Sequence, residues 1–128
     1  MKALVIGAGG VGSAIANIAS RRSFITEMVL ADRNLSRAEA AVTKLKDSRF
    51  SAAEVNAAEL EDVRALIRKA NPDIVVNAVD PRFVMPIFLA CEIENVNYMD
   101  MAMSLSRPHP HYPNSETGVK LGDEQFAR

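Results

Sequence analysis

Short apolar runs alternate along the chain with segments in which apolar residues recur at helical spacing. Continuous runs at Ala3–Ile6, Met28–Ala31 and Ile74–Val76 are typical of strands that are buried on both faces of a parallel sheet. Two weaker candidates follow the same pattern, at Phe50–Val55 and Val96–Met99. The pattern therefore predicts five short strands, each separated from the next by a helix.

The four intervening segments each carry one apolar stripe, as a helix does when it packs one face against a sheet. The stripe positions are Val11, Ile15 and Ile18, then Leu35, Ala38, Val42 and Leu45, then Leu60, Val63, Ile67 and Ala70, and finally Val84, Ile87 and Cys91. Parallel strands joined by right-handed helical crossovers form a doubly wound α/β sheet of the Rossmann type. We expect the strand order 3-2-1-4-5, with a ligand crevice where the order reverses, between the first and fourth strands.

Two segments carry the residues of a helix start. Ser36-Arg37-Ala38-Glu39 predicts a capping box, in which the serine hydroxyl and the glutamate carboxylate accept hydrogen bonds from free backbone amides. Asn56-Ala57-Ala58-Glu59 offers the same arrangement, with asparagine in place of serine. The first segment therefore predicts that Ser36 begins the second helix, and the second segment allows Asn56 to begin the third.

The pattern changes after residue 103. Residues 104–118 contain closely spaced prolines and no apolar periodicity, which predicts a loop or linker. Leu121–Ala127 then predicts the first turns of a new helix. We therefore expect residues 1–103 to form one domain, and residues 104–128 to be a linker and the start of a truncated second domain of a longer protein.

The first predicted strand leads directly into Gly7-Ala8-Gly9-Gly10-Val11-Gly12 and then into the first helix. In this strand-turn-helix context, a G-x-G-x-x-G motif predicts a dinucleotide-binding site. Gly7 permits the tight turn, Gly9 lets the backbone approach a pyrophosphate, and Gly12 allows the helix to pack close to the sheet. Backbone amides at the start of the helix would then point at the phosphates, with the helix dipole favouring negative charge.

An acidic residue follows at the spacing that this motif requires. Asp32 lies twenty residues beyond Gly12, at the end of the second predicted strand. A carboxylate there accepts hydrogen bonds from the adenosine ribose and repels a 2′-phosphate, which favours NAD. The neighbouring Arg33 leaves NADP open, because a guanidinium can hold a 2′-phosphate or stack on adenine. The simpler alternative, that the glycines only shape a turn and Asp32 only caps one, does not account for the agreement of motif, strand, helix and acid.

Further candidates lie after the later strands. Asn56 follows the third strand and either contacts adenine or caps the next helix, and both interpretations stay open. Asn77 and Ala78 close the fourth strand and should lie near the nicotinamide, although Asn77 could instead bind a neighbouring loop. Asp80 is expected to cap a helix, while Asp100 could face the substrate or act as a structural cap.

Charge and composition exclude several classes of function. The chain of 128 residues has a formal net charge of -1, which offers no attraction for nucleic acid or an anionic membrane. No apolar stretch approaches the ~20 residues of a membrane-spanning helix. The single cysteine, Cys91, cannot form an internal disulfide, so we expect a cytoplasmic protein. His109 and His111 lack a third metal ligand, so no metal site is expected, and no catalytic set is recognisable.

These motifs together resemble the NAD(P)-binding domain of the saccharopine dehydrogenase-like family. The segments that carry the resemblance are Lys2–Gly12, Ala31–Arg33, Asp73–Ala78 and Asn97–Asp100, over about residues 1–103. The resemblance implies that phosphates are held at Gly7, Gly9, Gly10 and Val11, the ribose at Asp32 and Arg33, and the nicotinamide beside Asn77 and Ala78. The acidic residue that the family usually has after the third strand is matched here by Asn56.

The resemblance implies an NAD(P)-dependent oxidoreductase that acts on an amino-acid C–N bond, with the amino-acid substrate held by a second α/β domain. It also implies a homo-oligomer in the intact protein and little turnover from this chain alone. One alternative is a non-enzymatic NAD(H)-sensing domain, which needs the same turn but no substrate pocket. A short-chain reductase is disfavoured, because Tyr98 is followed four positions later by Ala102 and not by lysine.

Overall fold

The computed structural model describes residues 1–101 and 105–128. The strands are β1 (Lys2–Ile6), β2 (Glu27–Asp32), β3 (Phe50–Glu54), β4 (Ile74–Asn77), β5 (Asn97–Asp100), β6 (Leu105–Arg107) and β7 (Val119–Lys120). The helices are α1 (Gly10–Ala19), α2 (Leu35–Leu45), α3 (Leu60–Ala70), α4 (Val84–Ile93) and α5 (Leu121–Phe126), with a short 3-10 turn at Pro81–Phe83.

Five strands form a parallel sheet in the order β3-β2-β1-β4-β5, as the alternating pattern predicts. The central strand β1 pairs with β2 on one side and with β4 on the other, and Ile6 lies opposite both Ala31 and Asn77. The carboxyl ends of these three strands are therefore level. The strand order reverses between β1 and β4, which is where ligands bind in sheets of this type.

The sheet is buried on both faces, because alternate residues of β1 belong to two different core clusters. Leu4 and Ile6 pack with the apolar stripes of α3 and α4, whereas Ala3 and Val5 pack with α1 and α2. All four side chains are almost fully buried. This arrangement explains why β1 appears in the sequence as a continuous apolar run and not as an alternating one.

The stripe expected on α1 is wrong at Val11 and Ile18, whereas Ile15 does pack against a core cluster. The residues of α1 that are buried are Gly12, Ala16 and Ala19, whereas Val11 and Ile18 are 51% and 56% exposed. The most buried positions are small residues because α1 starts immediately after the glycine turn and lies close to the strands. Most positions of the stripes predicted for α2, α3 and α4 do pack in the two core clusters. Val84 is buried outside both clusters, and Leu35 and Ala70 are only partly buried.

Two predicted helix caps are also wrong. The N-cap of α2 is Asn34, whose side-chain oxygen accepts a hydrogen bond from Arg37 N at 3.3 Å, so the helix starts before Ser36. The N-cap of α3 is Glu59, and Asn56 instead accepts a hydrogen bond from Ala58 N within the preceding loop. In both cases a local turn satisfies the backbone at a different residue from the one that the capping pattern favours.

The segment that follows the sheet is more ordered than a linker. Residues 104–118 were expected to form a loop, but they contain β6, which pairs antiparallel with β7 immediately after this segment. Residue 104 lies outside the described part of the chain. The predicted final helix is present as α5, and its Asp123 carboxylate accepts a hydrogen bond from Lys120 N at 3.1 Å. This helix contacts the sheet domain, since Gln125 Nε2 donates to Asp100 Oδ2 of β5 at 3.1 Å. Just after the helix, Arg128 Nε lies 3.0 Å from Glu92 Oε2 on α4.

The close packing of small residues on α1 allows a prediction about the free energy of unfolding. Ala16→Leu should lower the free energy of unfolding by about 1–3 kcal/mol, because the larger side chain cannot fit between helix and sheet. Ala16 is 1% exposed, whereas Ala14 on the same helix is exposed, so Ala14→Leu is the matched control. Urea unfolding followed by circular dichroism measures both variants. Equal effects at the two positions would show that α1 is not packed as described.

Candidate functional site

The glycine turn between β1 and α1 is fixed by two close contacts. Gly7 has φ +110°, and a Cβ placed on it would lie 2.6 Å from the carbonyl oxygen of Ala78. A Cβ on Gly12 would lie 1.7 Å from the carbonyl oxygen of Gly7. Side chains at either position would collide with backbone, so both glycines are required for the turn to exist.

The outer side of the turn is open. A Cβ on Gly9 or Gly10 would meet no heavy atom within 4 Å, although neither residue needs an unusual backbone conformation. Helix α1 begins here without a side-chain cap and without an acidic residue in its first turn. The backbone amides at this uncapped, positive helix end, with no acidic residue in the first turn, form a donor set that fits a diphosphate.

Asp32 lies against the turn at the end of β2 and is largely buried. Its Oδ2 accepts a hydrogen bond from Ala8 N at 2.8 Å, and its Oδ1 accepts one from Asn34 N at 2.9 Å. Each oxygen of an ionised carboxylate has two lone pairs, so Asp32 has acceptor capacity beyond these two bonds. The sequence pattern indicates the position of Asp32 but not this second role, in which its carboxylate joins the glycine turn to the start of α2.

Two guanidinium groups flank this carboxylate. Arg33 is the next residue along the chain and is exposed. Arg37, in the first turn of α2, places Nη1 3.7 Å from Asp32 Oδ2, with 59% of its side chain exposed. Sequence reasoning missed Arg37 as a site residue, because it assigned this position to the interior of a capping box. The signal was the position of Arg37 in the first turn of a helix that follows Asp32 directly, which brings its side chain back to the end of β2.

A cavity of about 260 Å³ lies beside the turn. Its lining residues are Ile6, Gly7, Asp32, Arg33, Arg37, Val55, Asn56, Ala57, Ala58, Val79 and Phe83. Four of the residues expected from the sequence thus meet here: Gly7, Asp32, Arg33 and Asn56. The cavity combines one acidic and two basic groups with apolar side chains from the end of β1 and from the two loops after β3 and β4. Such a lining suits a ligand with an aromatic ring and a polyhydroxylated part.

The other predicted residues lie around this cavity and not in its lining. Ala8 lines a second cavity of about 240 Å³ between α1 and α2, to which Arg37 also contributes. Gly9, Gly10 and Val11 are exposed on the open side of the turn. The candidate site therefore consists of the cavity, the turn with its open face, and Arg37, which borders both cavities.

Asn77 and Ala78 are located at the end of β4, on the far side of the turn. Asn77 is 2% exposed. Its Nδ2 donates to the hydroxyl of Tyr98 at 3.0 Å, and its Oδ1 accepts from Val79 N at 3.1 Å. The side chain thus makes the loop hydrogen bond that was the alternative interpretation of Asn77. Ala78 N donates to Ile6 O at 2.8 Å, which ties the loop to β1.

The remaining sequence candidates have structural contacts. Asp80 caps the 3-10 turn, accepting a hydrogen bond from Arg82 N at 3.0 Å. Burial raises the pKa of Cys91 to about 12, so its thiol stays protonated at neutral pH.

Within the described residues, no cluster of three or more His, Cys, Asp or Glu side chains could hold a metal. The helices of the same part of the chain are too short or too polar to cross a membrane.

The sheet order, the glycine turn and the acidic residue at the end of β2 together define a Rossmann-type dinucleotide-binding domain. Comparison with known families is more specific. Residues 3–128 match the model of the saccharopine dehydrogenase NADP binding domain, and the chain belongs to that family.

Individual relatives agree with this assignment. Carboxynorspermidine synthase of Vibrio cholerae is 33% identical over 82% of this chain, and carboxyaminopropylagmatine dehydrogenase of Synechocystis is 26% identical over 79%. A solved structure of saccharopine dehydrogenase (L-Glu forming) from Saccharomyces cerevisiae superimposes with a TM-score of 0.69 over 80% of the chain and 22% of that protein, at 15% identity. The chain spans 28% and 25% of the lengths of the two curated relatives.

The two hydrogen bonds that Asp32 accepts allow a second prediction about the free energy of unfolding. Asp32→Ala should lower the free energy of unfolding by about 1–3 kcal/mol, because the amides of Ala8 and Asn34 lose their acceptor. Glu39→Ala on the exposed face of α2 is the control and should change stability by less than about 0.5 kcal/mol. Urea denaturation of the two variants tests this, and an Asp32→Ala variant as stable as the control would contradict the structural role.

Proposed function

We propose that this chain is the cofactor-binding domain of an NAD(P)-dependent oxidoreductase that acts on an amino-acid C–N bond. The observation that carries the proposal is the open, uncapped start of α1 next to the buried carboxylate of Asp32. Family membership supports it, because the family is described as an NADP binding domain. The names of the curated relatives, a synthase of carboxynorspermidine and a dehydrogenase of carboxyaminopropylagmatine, support an amino compound as substrate.

Each part of the cofactor has a candidate partner in this proposal. Backbone amides at Gly9, Gly10 and Val11 would bind the diphosphate, and Asp32 would accept hydrogen bonds from the adenosine ribose. The apolar side chains of the cavity, with Asn56 at its edge, would surround the adenine. When bound, the nicotinamide supplies or accepts the hydride, so that an imine and the reduced cofactor become an amine and the oxidised cofactor, with one proton taken up.

The substrate would be held largely outside this domain. None of the residues that line the cavity forms a recognisable catalytic set. We propose that residues 104–128 begin a second domain, which completes the substrate site over the nicotinamide. Asn77 and Ala78 would then border the nicotinamide through the backbone of their loop, since the Asn77 side chain is bonded internally.

The choice between NAD and NADP depends on the charges around the ribose. The Asp32 carboxylate repels a 2′-phosphate and so favours NAD. The guanidinium of Arg37 offsets this repulsion, because it lies 3.7 Å from the carboxylate and borders the same cavity. With the neighbouring Arg33, it gives the site a net positive charge. We propose that NAD is preferred and that NADP is accepted through these two arginines.

Gly9→Val tests the site directly. Gly9 has φ -72° and ψ -163°, which valine tolerates, so the fold should survive while the new side chain fills the path of the diphosphate. Calorimetric titration with NADH and NADPH should detect binding to the wild type and none to the variant. Ala14→Val, an exposed change on the same helix, is the control and should bind as the wild type does.

The same variant tests the reaction in the intact protein. Wild-type protein should oxidise the reduced cofactor when it is offered an amine together with a carbonyl compound, one of them carrying an amino-acid group, and Gly9→Val should not. Unchanged cofactor affinity in Gly9→Val would remove the basis of the assignment. Cofactor binding without turnover in the intact wild type would favour the sensing alternative.

Arg37→Gln tests the proposed charge balance. Loss of the guanidinium should weaken NADPH binding by about fivefold, the equivalent of about 1 kcal/mol for an exposed ion pair, and leave NADH binding nearly unchanged. Arg22→Gln, which removes an exposed arginine away from both cavities, controls for net charge. Equal losses for the two cofactors would show that Arg37 does not distinguish them.

A further inference from the structure

We propose that Tyr98 is a positioning residue of the cofactor site, because its hydroxyl holds Asn77, and Asn77 holds the loop after β4 that lines the cavity. The inference rests on the proposed function and extends it to a residue outside the cavity. Tyr98 lies in the middle of β5, the edge strand of the sheet, and pairs in register with Val75 of β4. No part of its side chain belongs to the lining of the cavity.

The first link is the buried amide of Asn77. Its Nδ2 donates to the hydroxyl of Tyr98 at 3.0 Å, while its Oδ1 accepts from the backbone N–H of Val79 at 3.1 Å. Both ends of the amide are therefore engaged, one by β5 and one by the loop. Because Asn77 is 2% exposed, loss of the hydroxyl would leave the Nδ2 donor buried without this acceptor.

The second link joins the loop to the glycine turn. The carbonyl oxygen of Ala78 lies 2.6 Å from the position of a Cβ on Gly7, and Cγ1 of Val79 lies 2.8 Å from it. Val79 also lines the cavity together with Gly7 and Asp32. A loop in such close contact with the turn cannot shift by a few tenths of an ångström without changing the shape of the cavity. The hydrogen bond from Val79 N to Asn77 therefore fixes one side of the site.

The hydroxyl of Tyr98 is itself held in place. Its ring packs edge-on against Phe88 of α4, with 5.5 Å between the ring centroids and an angle of 77°. Burial raises the pKa of Tyr98, and hydrogen bonding to Asp100 adds to this effect, so the phenol remains protonated. Asp100 in turn accepts a hydrogen bond from Gln125 Nε2 of α5 at 3.1 Å. A chain of polar contacts thus runs from α5 to the wall of the cavity.

Tyr98→Phe is the decisive variant, because it removes the hydroxyl and keeps the ring. The Kd for NADH and NADPH should rise about fivefold, as expected for the loss of one buried hydrogen bond. Tyr112→Phe is the matched control and should leave the Kd unchanged, since Tyr112 is 57% exposed and does not line the cavity. In an Asn77→Ala background, Tyr98→Phe should have no further effect on the Kd, because the link is already broken.

Amide hydrogen exchange separates positioning from general destabilisation. In Tyr98→Phe, the Val79 amide should exchange faster, whereas the Ala78 amide, which is bonded to Ile6 O, should keep its protection. Equal acceleration at both amides, or a Tyr98→Phe effect on the Kd that persists undiminished in the Asn77→Ala background, would overturn the inference. If the wild type binds cofactor and Tyr98→Phe binds equally well, this inference alone fails. If the wild type binds neither cofactor, the proposed function fails with it.

Discussion

The whole site depends on the close approach of α1 to the turn that precedes it. A methyl group on Gly12 would lie 1.7 Å from the carbonyl oxygen of Gly7, so any side chain there would push the helix away from the sheet. Gly7 in turn leaves room for the backbone of the loop after β4, which crosses at Ala78. Because neither glycine has a side chain, β1, α1 and the end of β4 can approach one another closely at the carboxyl edge of the sheet.

Asp32 adds hydrogen bonds to this closely packed turn. Its two oxygens bind the amides of Ala8 and Asn34, so the same carboxylate fixes the turn and the start of α2. In the proposed complex the remaining lone pairs would face the ribose, and the carboxylate would need no rearrangement to accept it. Such preorganisation lowers the entropic cost of binding, because the acceptor is already immobilised by the fold.

The sequence predicts the sheet well and the helix surfaces less well, for a physical reason. Strands buried on both faces appear as apolar runs, so β1, β2 and β4 and their order could be predicted. Helix α1 could be predicted too, but most of its buried face could not, because close packing selects small residues such as Gly12 and Ala16, which apolar-stripe rules undervalue. Strands β6 and β7 could not be predicted either, because they are too short to show periodicity. The position of Arg37 beside Asp32 depends on the N-cap at Asn34, whereas the capping pattern predicts the cap at Ser36.

Asn77 shows why a polar side chain is kept inside this sheet. It ends a strand of apolar residues at 2% exposure, and a buried amide is costly unless both of its ends are bonded. An apolar residue would fill the same volume but could not fix the N–H of Val79 in direction. The orientation of this N–H affects the shape of the cavity, because Val79 belongs both to the loop that contacts Gly7 and to the lining of the site. Through its two hydrogen bonds, the Asn77 amide therefore links the edge strand β5 to the loop beside the glycine turn, and apolar packing alone would not make this link.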